Sequence, residues 1–361
     1  MHLLKQLCAW MGAEPAVTIP LHSPERMRAI LERERMRADR GNTNFALLTL
    51  QLSTRVTREQ WEQLGELLIK RVRATDDVGL LKSRLLGVIL PETPVEGAWK
   101  VARDVLAELP VDFDPPTCNV YVHPALAADD VSYLESEHDV EQEAPAGEPV
   151  PAARSMETWF VRPTPGWKRA VDIAGALVGL ILTSPILLVT AIAIKATSKG
   201  PVFFTQPRDT IGGRRFNIYK FRTMVVDAEE QKAALRKYSE QDGPAFKMVH
   251  DPRITKLGRF LRKTSIDELP QFINVLKGDM SLVGPRPLPC DESSGCQAWQ
   301  RRRLDVAPGL TCIWQVYGRS RVSFAEWIRM DLRYARKRSL LKDLLLILQT
   351  VPAVVLRRGA R

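Results

Sequence analysis

Two adjacent carboxylates, Asp267 and Glu268, stand at the predicted start of a short helix, and the chain then closes on a rigid turn, Gly284-Pro285-Arg286-Pro287. Paired carboxylates followed by a fixed arginine suit phosphate chemistry. A carboxylate can act as a nucleophile in a two-step displacement, and Mg²⁺ commonly takes one or two carboxylates plus substrate phosphates. Asp267 also has a purely local use. As an N-cap it would place Pro270 in the tolerant first turn, whereas a Ser265–Glu268 capping box would put Pro270 where an intrahelical N–H is needed.

Whatever positions these groups must also place them relative to an apolar run from Ala170 to Ile194, in which Asp172 is the single charge. At about 1.5 Å per residue such a run is long enough for a bilayer core of about 30 Å. Two features oppose a simple span. Pro185 removes a backbone donor in mid-segment, and Ser184 is placed to satisfy the freed carbonyl. Lys168 and Arg169 precede the run and Lys195 and Lys199 follow it, so the positive-inside rule predicts both ends on one side. The expectation is a re-entrant helix-break-helix over 170–194, with a Pro-kinked span and a buried soluble helix as the alternatives. Asp172, at the mouth of an apolar helix, is expected to find an arginine partner. The run Ser339–Arg358 reads as an interfacial helix or a core helix, with Lys342 and Asp343 on its polar side.

The net charge of +10 is unevenly spread: residues 160–361 carry 35 Lys+Arg against 17 Asp+Glu, and residues 1–159 carry 17 against 25. A basic C-terminal half favours anionic partners such as lipid headgroups and nucleotide phosphates. Nucleic acid is disfavoured, because the basic residues accompany apolar segments and not aromatic stacking platforms. Five cysteines (8, 118, 290, 296 and 312) show no metal-ligand spacing and read as reduced thiols. Met1–Trp10 is too short for a signal peptide.

Residues 24–40 read as a charged helix, 45–52 as a buried strand, 57–73 as a helix, 86–91 as a strand, 95–109 as a helix and 119–123 as a strand. The alternation predicts an α/β sandwich over residues 1–124. This part resembles a GGDEF-type nucleotide-cyclase domain through Arg-Ala-Asp-Arg40, Phe45-Ala-Leu-Leu48, Arg73–Gly79 and Leu86–Pro94. The chemistry of that family is missing. Lys82-Ser83-Arg84-Leu85 stands in place of its signature loop, and Thr49-Leu-Gln-Leu52 offers no metal-binding Asp, so a two-metal cyclase could not hold Mg²⁺. The resemblance implies a degenerate regulatory or oligomerising module, with a homo-oligomer or a cyclic dinucleotide as its candidate partners. Residues 125–162, acidic and rich in Pro and Ala, read as a disordered linker.

Residues 163–361 resemble the bacterial monotopic phosphoglycosyl transferases. The resemblance rests on Lys168–Asp172 with the Ser184-Pro185 break, Gly200–Arg208, Phe216–Met224, Asp251–Arg259, the Asp267-Glu268 dyad, Gly284–Pro287, Pro308–Arg319 and the Asp331/Tyr334 segment. One departure is Asp209-Thr210-Ile211-Gly212, where the family has a shorter link. The resemblance implies a mainly helical membrane catalytic domain in which Asp267 attacks a UDP-sugar, releases UMP and passes the sugar phosphate to polyprenyl (undecaprenyl) phosphate. Glu268 would ligate Mg²⁺. The Pro285-Arg286-Pro287 turn would contact the nucleotide, and Arg208, Arg222 and Arg253 are further phosphate candidates. Asp172, Ser184 and Pro185 would organise the anchor. The expected setting is a bacterial inner membrane with both domains facing the cytoplasm. A catalytically silent membrane scaffold for polysaccharide enzymes is the competing expectation.

Overall fold

A computed structural model describes residues 21–124, 151, 153–317 and 322–355. The chain divides into two units between Met156 and Glu157. In the first, Ser23 accepts from the backbone N–H of Arg26 and starts α1 (Pro24–Gly41). A Thr57/Gln60 capping box starts α2 (Arg58–Arg71), and α3 covers Val95–Ala107. The strands β1 (Phe45–Gln51), β2 (Asp77–Lys82), β3 (Leu85–Pro91), β4 (Thr117–His123) and β5 (Arg154–Ser155) form one sheet in the order β2-β3-β1-β4-β5. β1 is central, with β3 and β4 on its flanks, and both its faces are covered, so Phe45–Leu50 is buried at every position. The α/β expectation for this unit holds. β2 was not foreseen: it is short, and Gly79 interrupts its apolar pattern where the backbone of His22 approaches too closely for any side chain.

The linker ends earlier than expected. Residues 125–150 lie outside the described residues, but β5 joins the first sheet in parallel with β4, and Glu157–Arg162 belong to the second unit. There Glu157 pairs with Arg301, and the amide of Arg162 donates to the Asp305 carbonyl at 2.7 Å. The acidity that argues for a linker stops at Glu148, and the apolar Trp159-Phe160-Val161 that follows can be buried.

The second unit opens with α4, Gly166–Thr197, which carries Pro185 inside it. The helix continues through the proline instead of breaking there. Pro185 lacks the N–H that would reach the Ile181 carbonyl, and the Ser184 hydroxyl donates to that carbonyl at 2.8 Å in its place. The middle of α4 presents Leu177, Val178, Ile181, Leu182, Leu188 and Val189 to the outside, which removes the buried soluble helix from consideration. Its two ends, by contrast, are packed on the same unit. Ala176 joins a core with Val275, Leu282 and Val283, and Ile194 joins one with Phe221 and Leu261.

The remaining elements form the body under this helix. β6 (Phe203–Asp209) and β7 (Arg215–Phe221) make an antiparallel hairpin. After α5 (Lys256–Thr264) and α6 (Phe272–Lys277), the short β8 (Ser281–Val283) pairs in parallel with β9 (Gly309–Thr311). α7 (Phe324–Arg336) begins on a Ser323/Glu326 capping box, and α8 covers Leu340–Val355. Leu341, Leu344, Leu345 and Leu348 of α8 are exposed while Asp343 points inward, so Asp343 does not lie on a polar outer side.

Asp343 is one corner of a buried network. Lys168 Nζ donates to Asp343 Oδ2 at 2.5 Å and to the Val283 carbonyl at 3.0 Å, and the Tyr334 hydroxyl reaches both partners at 2.9 Å. Among the described residues Asp172 has no arginine partner. Its carboxylate accepts from Ser281 Oγ at 2.8 Å and the Leu282 amide at 2.9 Å, while the nearby Lys168 supplies the positive charge. A hydroxyl and an amide suffice because β8 lies alongside the first turns of α4. Breaking a buried ion pair costs about 3–5 kcal/mol, since one charge is left unpaired. Lys168→Met is therefore expected to lower the melting temperature of the detergent-solubilised protein by several degrees. An unchanged melting curve would show that the network adds no stability.

Candidate active site

Asp267 and Glu268 lie on a 3₁₀ segment, Ile266–Gln271, packed against β7. Ser265, with φ of 55° and ψ of 17°, turns the chain sharply out of α5. That turn decides between the two roles open to Asp267. Ser265 occupies the N-cap position in a left-handed conformation, without a side-chain cap bond, and Asp267 is already inside the segment. Asp267 is not a cap. It is 7% exposed, and among the described residues its carboxylate makes no hydrogen bond. Burial, and after it the negative charge of Glu268, pushes its carboxyl up to about 6, against the pull of Lys220, Arg262 and Arg286.

Glu268 stands in the opposite environment. Its Oε1 accepts from Lys220 Nζ at 2.9 Å and from Arg286, whose other arm donates to Oε2 at 3.1 Å. Burial alone would raise this carboxyl, but the two cations overcome it and hold Glu268 well below the usual carboxylate range. Adjacent carboxylates are thus driven apart, one open and basic, the other closed and ionised.

The arginine comes from the Gly284–Pro287 turn, which leaves β8 and is pinned beside β9. The Gly309 amide donates to the Pro285 carbonyl at 2.8 Å and the Gly284 amide to Thr311 at 3.0 Å. Gly284 lies against the Ala307 carbonyl, where a Cβ would come within 2.4 Å. Arg208 joins the turn by donating from Nη1 to the Pro287 carbonyl at 2.7 Å. Burial, then the charge of Arg286, lowers its guanidinium to about 10. These groups line a cleft of about 1530 Å³ that also takes in Arg262, Trp314 and Gln315. Its rim includes Phe203, Val226 and Phe260, exposed apolar side chains next to the C-terminal end of α4.

Residues 164–357 match the bacterial sugar transferase family. The chain belongs to that family. This sugar transferase is 46% identical over 195 residues to the galactosyl transferase CpsE of Streptococcus agalactiae, covering 54% of this chain and 43% of that protein. It is 39% identical over 212 residues to the exopolysaccharide production protein ExoY of Rhizobium meliloti, covering 56% of this chain and 92% of ExoY. It is 39% identical over 200 residues to the undecaprenyl-phosphate galactose phosphotransferase of Salmonella typhimurium, covering 54% of this chain and 41% of that protein. The chain thus spans less than half of two of these relatives and nearly all of the third. Among solved structures, the active GGEEF domain of a diguanylate cyclase from Vibrio cholerae covers 28% of this chain and 76% of its own, at 14% identity and a TM-score of 0.25. A likeness at that level says nothing of activity.

All four candidate arginines of the sugar transferase line the cleft and each is bonded within the protein, Arg286 to Glu268 and Arg208 to the Pro287 carbonyl and to Gln206 Oε1. Arg222 donates to the carbonyl and hydroxyl of Ser198, tying the end of β7 to the C-cap of α4. Arg253 is spent on Asp251, at 2.7 and 2.9 Å, and on the Ala228 carbonyl. Arg253 thus uses all three guanidinium nitrogens within the protein, whereas Nη1 of Arg222 is buried without a partner among the described residues. Two functional groups were not singled out from the sequence, Lys220 and Arg262. Lys220 was legible in principle, because strand alternation puts it on the face of Ile218 and Arg222. Arg262, whose Nε donates to Thr223 Oγ1 at 2.9 Å, reaches Asp267 only because the chain turns back at Ser265. Cys118, Cys290, Cys296 and Cys312 are free thiols, as expected, and Cys8 lies outside the described residues.

Proposed function

We propose that this enzyme transfers a sugar 1-phosphate from a UDP-sugar to polyprenyl phosphate, releasing UMP, as a membrane step of surface polysaccharide synthesis. The observation that carries the proposal is the Asp267 carboxylate, buried without a hydrogen bond at the edge of a cationic cleft with an apolar rim. Such a group costs folding energy, and perturbed carboxylates of this kind cluster at reactive sites. A silent scaffold has no use for it. The relative named an undecaprenyl-phosphate galactose phosphotransferase supports a polyprenyl phosphate acceptor.

An Asp267 oxygen attacks the sugar-bearing phosphorus, the bond from that phosphorus to the bridging oxygen breaks, and UMP leaves. An oxygen of polyprenyl phosphate then attacks the same phosphorus and expels Asp267 as a free carboxylate. With its carboxyl raised to about 6, Asp267 is still mostly ionised at neutral pH and is more basic than an exposed aspartate. Arg286 and Arg208 bind the diphosphate, and catalysis rests largely on positioning and charge neutralisation. Among the described residues no group of three metal-ligating side chains exists, so Mg²⁺ would need substrate phosphates to complete its coordination. Glu268, assisted by Asp267, would hold it, and it would neutralise the diphosphate. UMP release by purified protein across a panel of UDP-sugars, with mass analysis for a phosphosugar on Asp267, tests the reading. No UMP from any sugar would overturn it.

The anchor follows from the same geometry. The packing of both ends of α4 on one unit supports a helix that bends at Pro185 and stays in one leaflet, and the exposed faces of α4 and α8 supply apolar surface for it. The site then lies at phosphate height on the cytoplasmic side. Cysteines placed at exposed Pro163 and Lys199, in a background without native cysteines, are expected to label from the same side of inverted vesicles. Labelling from opposite sides would rule out the re-entrant arrangement.

A further inference from the structure

The segment that delivers Arg286 is held by two ion pairs of the same design. In each, a buried cation bonds a buried carboxylate and lends another donor contact to a main-chain carbonyl of residues 283–286. Lys168, paired with Asp343, does this for Val283. Arg303 does it for Arg286 itself: its Nε and Nη2 bond Asp331 Oδ2 at 3.2 and 3.0 Å, and Nη2 also donates to the Arg286 carbonyl. Arg303 and Asp331 are 3% and 1% exposed, on different elements, and neither reaches Glu268 or Asp267.

We infer that Arg303 and Asp331 are positioning residues for transfer: by gripping the Arg286 carbonyl they fix the direction in which the Arg286 guanidinium leaves the turn. The physical reason lies in what prolines leave undone. Pro285 and Pro287 stiffen the turn but have no N–H, the Gly309 amide donates to the Pro285 carbonyl and the Gly284 amide to the Thr311 carbonyl, and Arg208 holds the Pro287 carbonyl, so these bonds flank Arg286 without touching its own main chain. Arg303 holds the main chain of Arg286 directly, and without it the Arg286 carbonyl would lose its fixed direction and the guanidinium its fixed line of approach to Glu268. The packing around the pair suits the task. Trp327 lies against the Arg303 guanidinium at 5.8 Å, and Trp314 packs on Trp327 at a tilt of 47° with centroids 4.4 Å apart. Arg303 is therefore fixed from two sides before it touches the turn.

This inference rests on the proposed transferase reading, and a double-mutant cycle separates the two. UMP release is measured for wild type, Asp331→Asn, Arg286→Lys and the double variant, with thermal unfolding as the check on folding. Asp331→Asn is expected to lower kcat/KM about tenfold or more in the wild-type background and less than about twofold in the Arg286→Lys background, because the group it aims is already compromised. Glu157→Gln, which breaks a buried pair with Arg301 remote from the turn, is expected to lower stability and leave kcat/KM near wild type in both backgrounds. If Asp331→Asn does not unfold cooperatively, Arg303→Met takes its place in the same cycle. Equal losses in both backgrounds would overturn the positioning role and leave the transferase reading intact. Absence of UMP from wild type would instead overturn the reading itself.

Discussion

Replacing Asp267 by Asn is expected to abolish sugar-phosphate transfer, by about a thousandfold or more, while making the protein more stable at neutral pH. The amide is nearly isosteric but cannot attack phosphorus. The stability gain follows from the sign of the carboxyl shift. Asp267 is raised to about 6 in the fold, above the value of about 3.9 of an unfolded aspartate. The folded state therefore binds the proton more tightly, and ionising Asp267 above pH 6 costs stability. Asn removes that cost, so the variant should melt above wild type at pH 7.5. The difference should shrink as pH falls through 6 and vanish near 4. The same ionisation should give wild-type kcat/KM an acid limb near pH 6. Near-normal turnover in the variant would remove Asp267 as nucleophile, and a lower melting temperature at pH 7.5 would mean that its carboxylate has a stabilising partner.

Glu268→Gln is expected to move stability the other way. Glu268 is ion-paired to Lys220 and Arg286, and Gln leaves two half-buried cations without a counter-charge. Stability should fall, and activity should drop about a hundredfold or more with the loss of a preorganised electrostatic group. The residual activity should need more Mg²⁺ for saturation. Its acid limb should lie below pH 6, because the charge of Glu268 is, after burial, what raises Asp267. Turnover with an unchanged metal titration and an unchanged acid limb would exclude Glu268 from the site. Opposite stability effects at neighbouring carboxylates form a pattern that general damage to the fold would not produce.

Much of this chain could be read without its fold. Apolar periodicity marks α1, β1, α2, β3, α3 and β4 because each buries a face whose spacing repeats locally. The length and composition of α4, and the role of Ser184 in satisfying the carbonyl that Pro185 leaves open, follow from residues four apart or closer. Family membership is carried by long motifs in order, and the dyad and the Gly-Pro-Arg-Pro turn are such motifs. What the sequence left undecided depends on groups far apart along the chain. Asp172 bonds Ser281, Lys168 bonds Asp343, and Glu157 bonds Arg301. No local pattern encodes those pairs, so an arginine was expected for Asp172 and a solvent face for Asp343.

The arginines show the difference most clearly. Arg208, Arg222, Arg253 and Arg286 have the same side chain in comparable motifs, and the sequence by itself determined only that the cleft would be cationic. Tertiary structure decided what each of them bonds, because a guanidinium is committed by the acceptors that happen to surround it. Asp251 and the Ala228 carbonyl absorb Arg253, and Ser198 absorbs Arg222, while Arg286 is turned towards Glu268. The same holds for the dyad. Sequence placed two identical charges side by side, and the difference in their proton affinity arose only when Lys220 and Arg286 were folded onto one of them and the other was buried beside it without a hydrogen bond among the described residues.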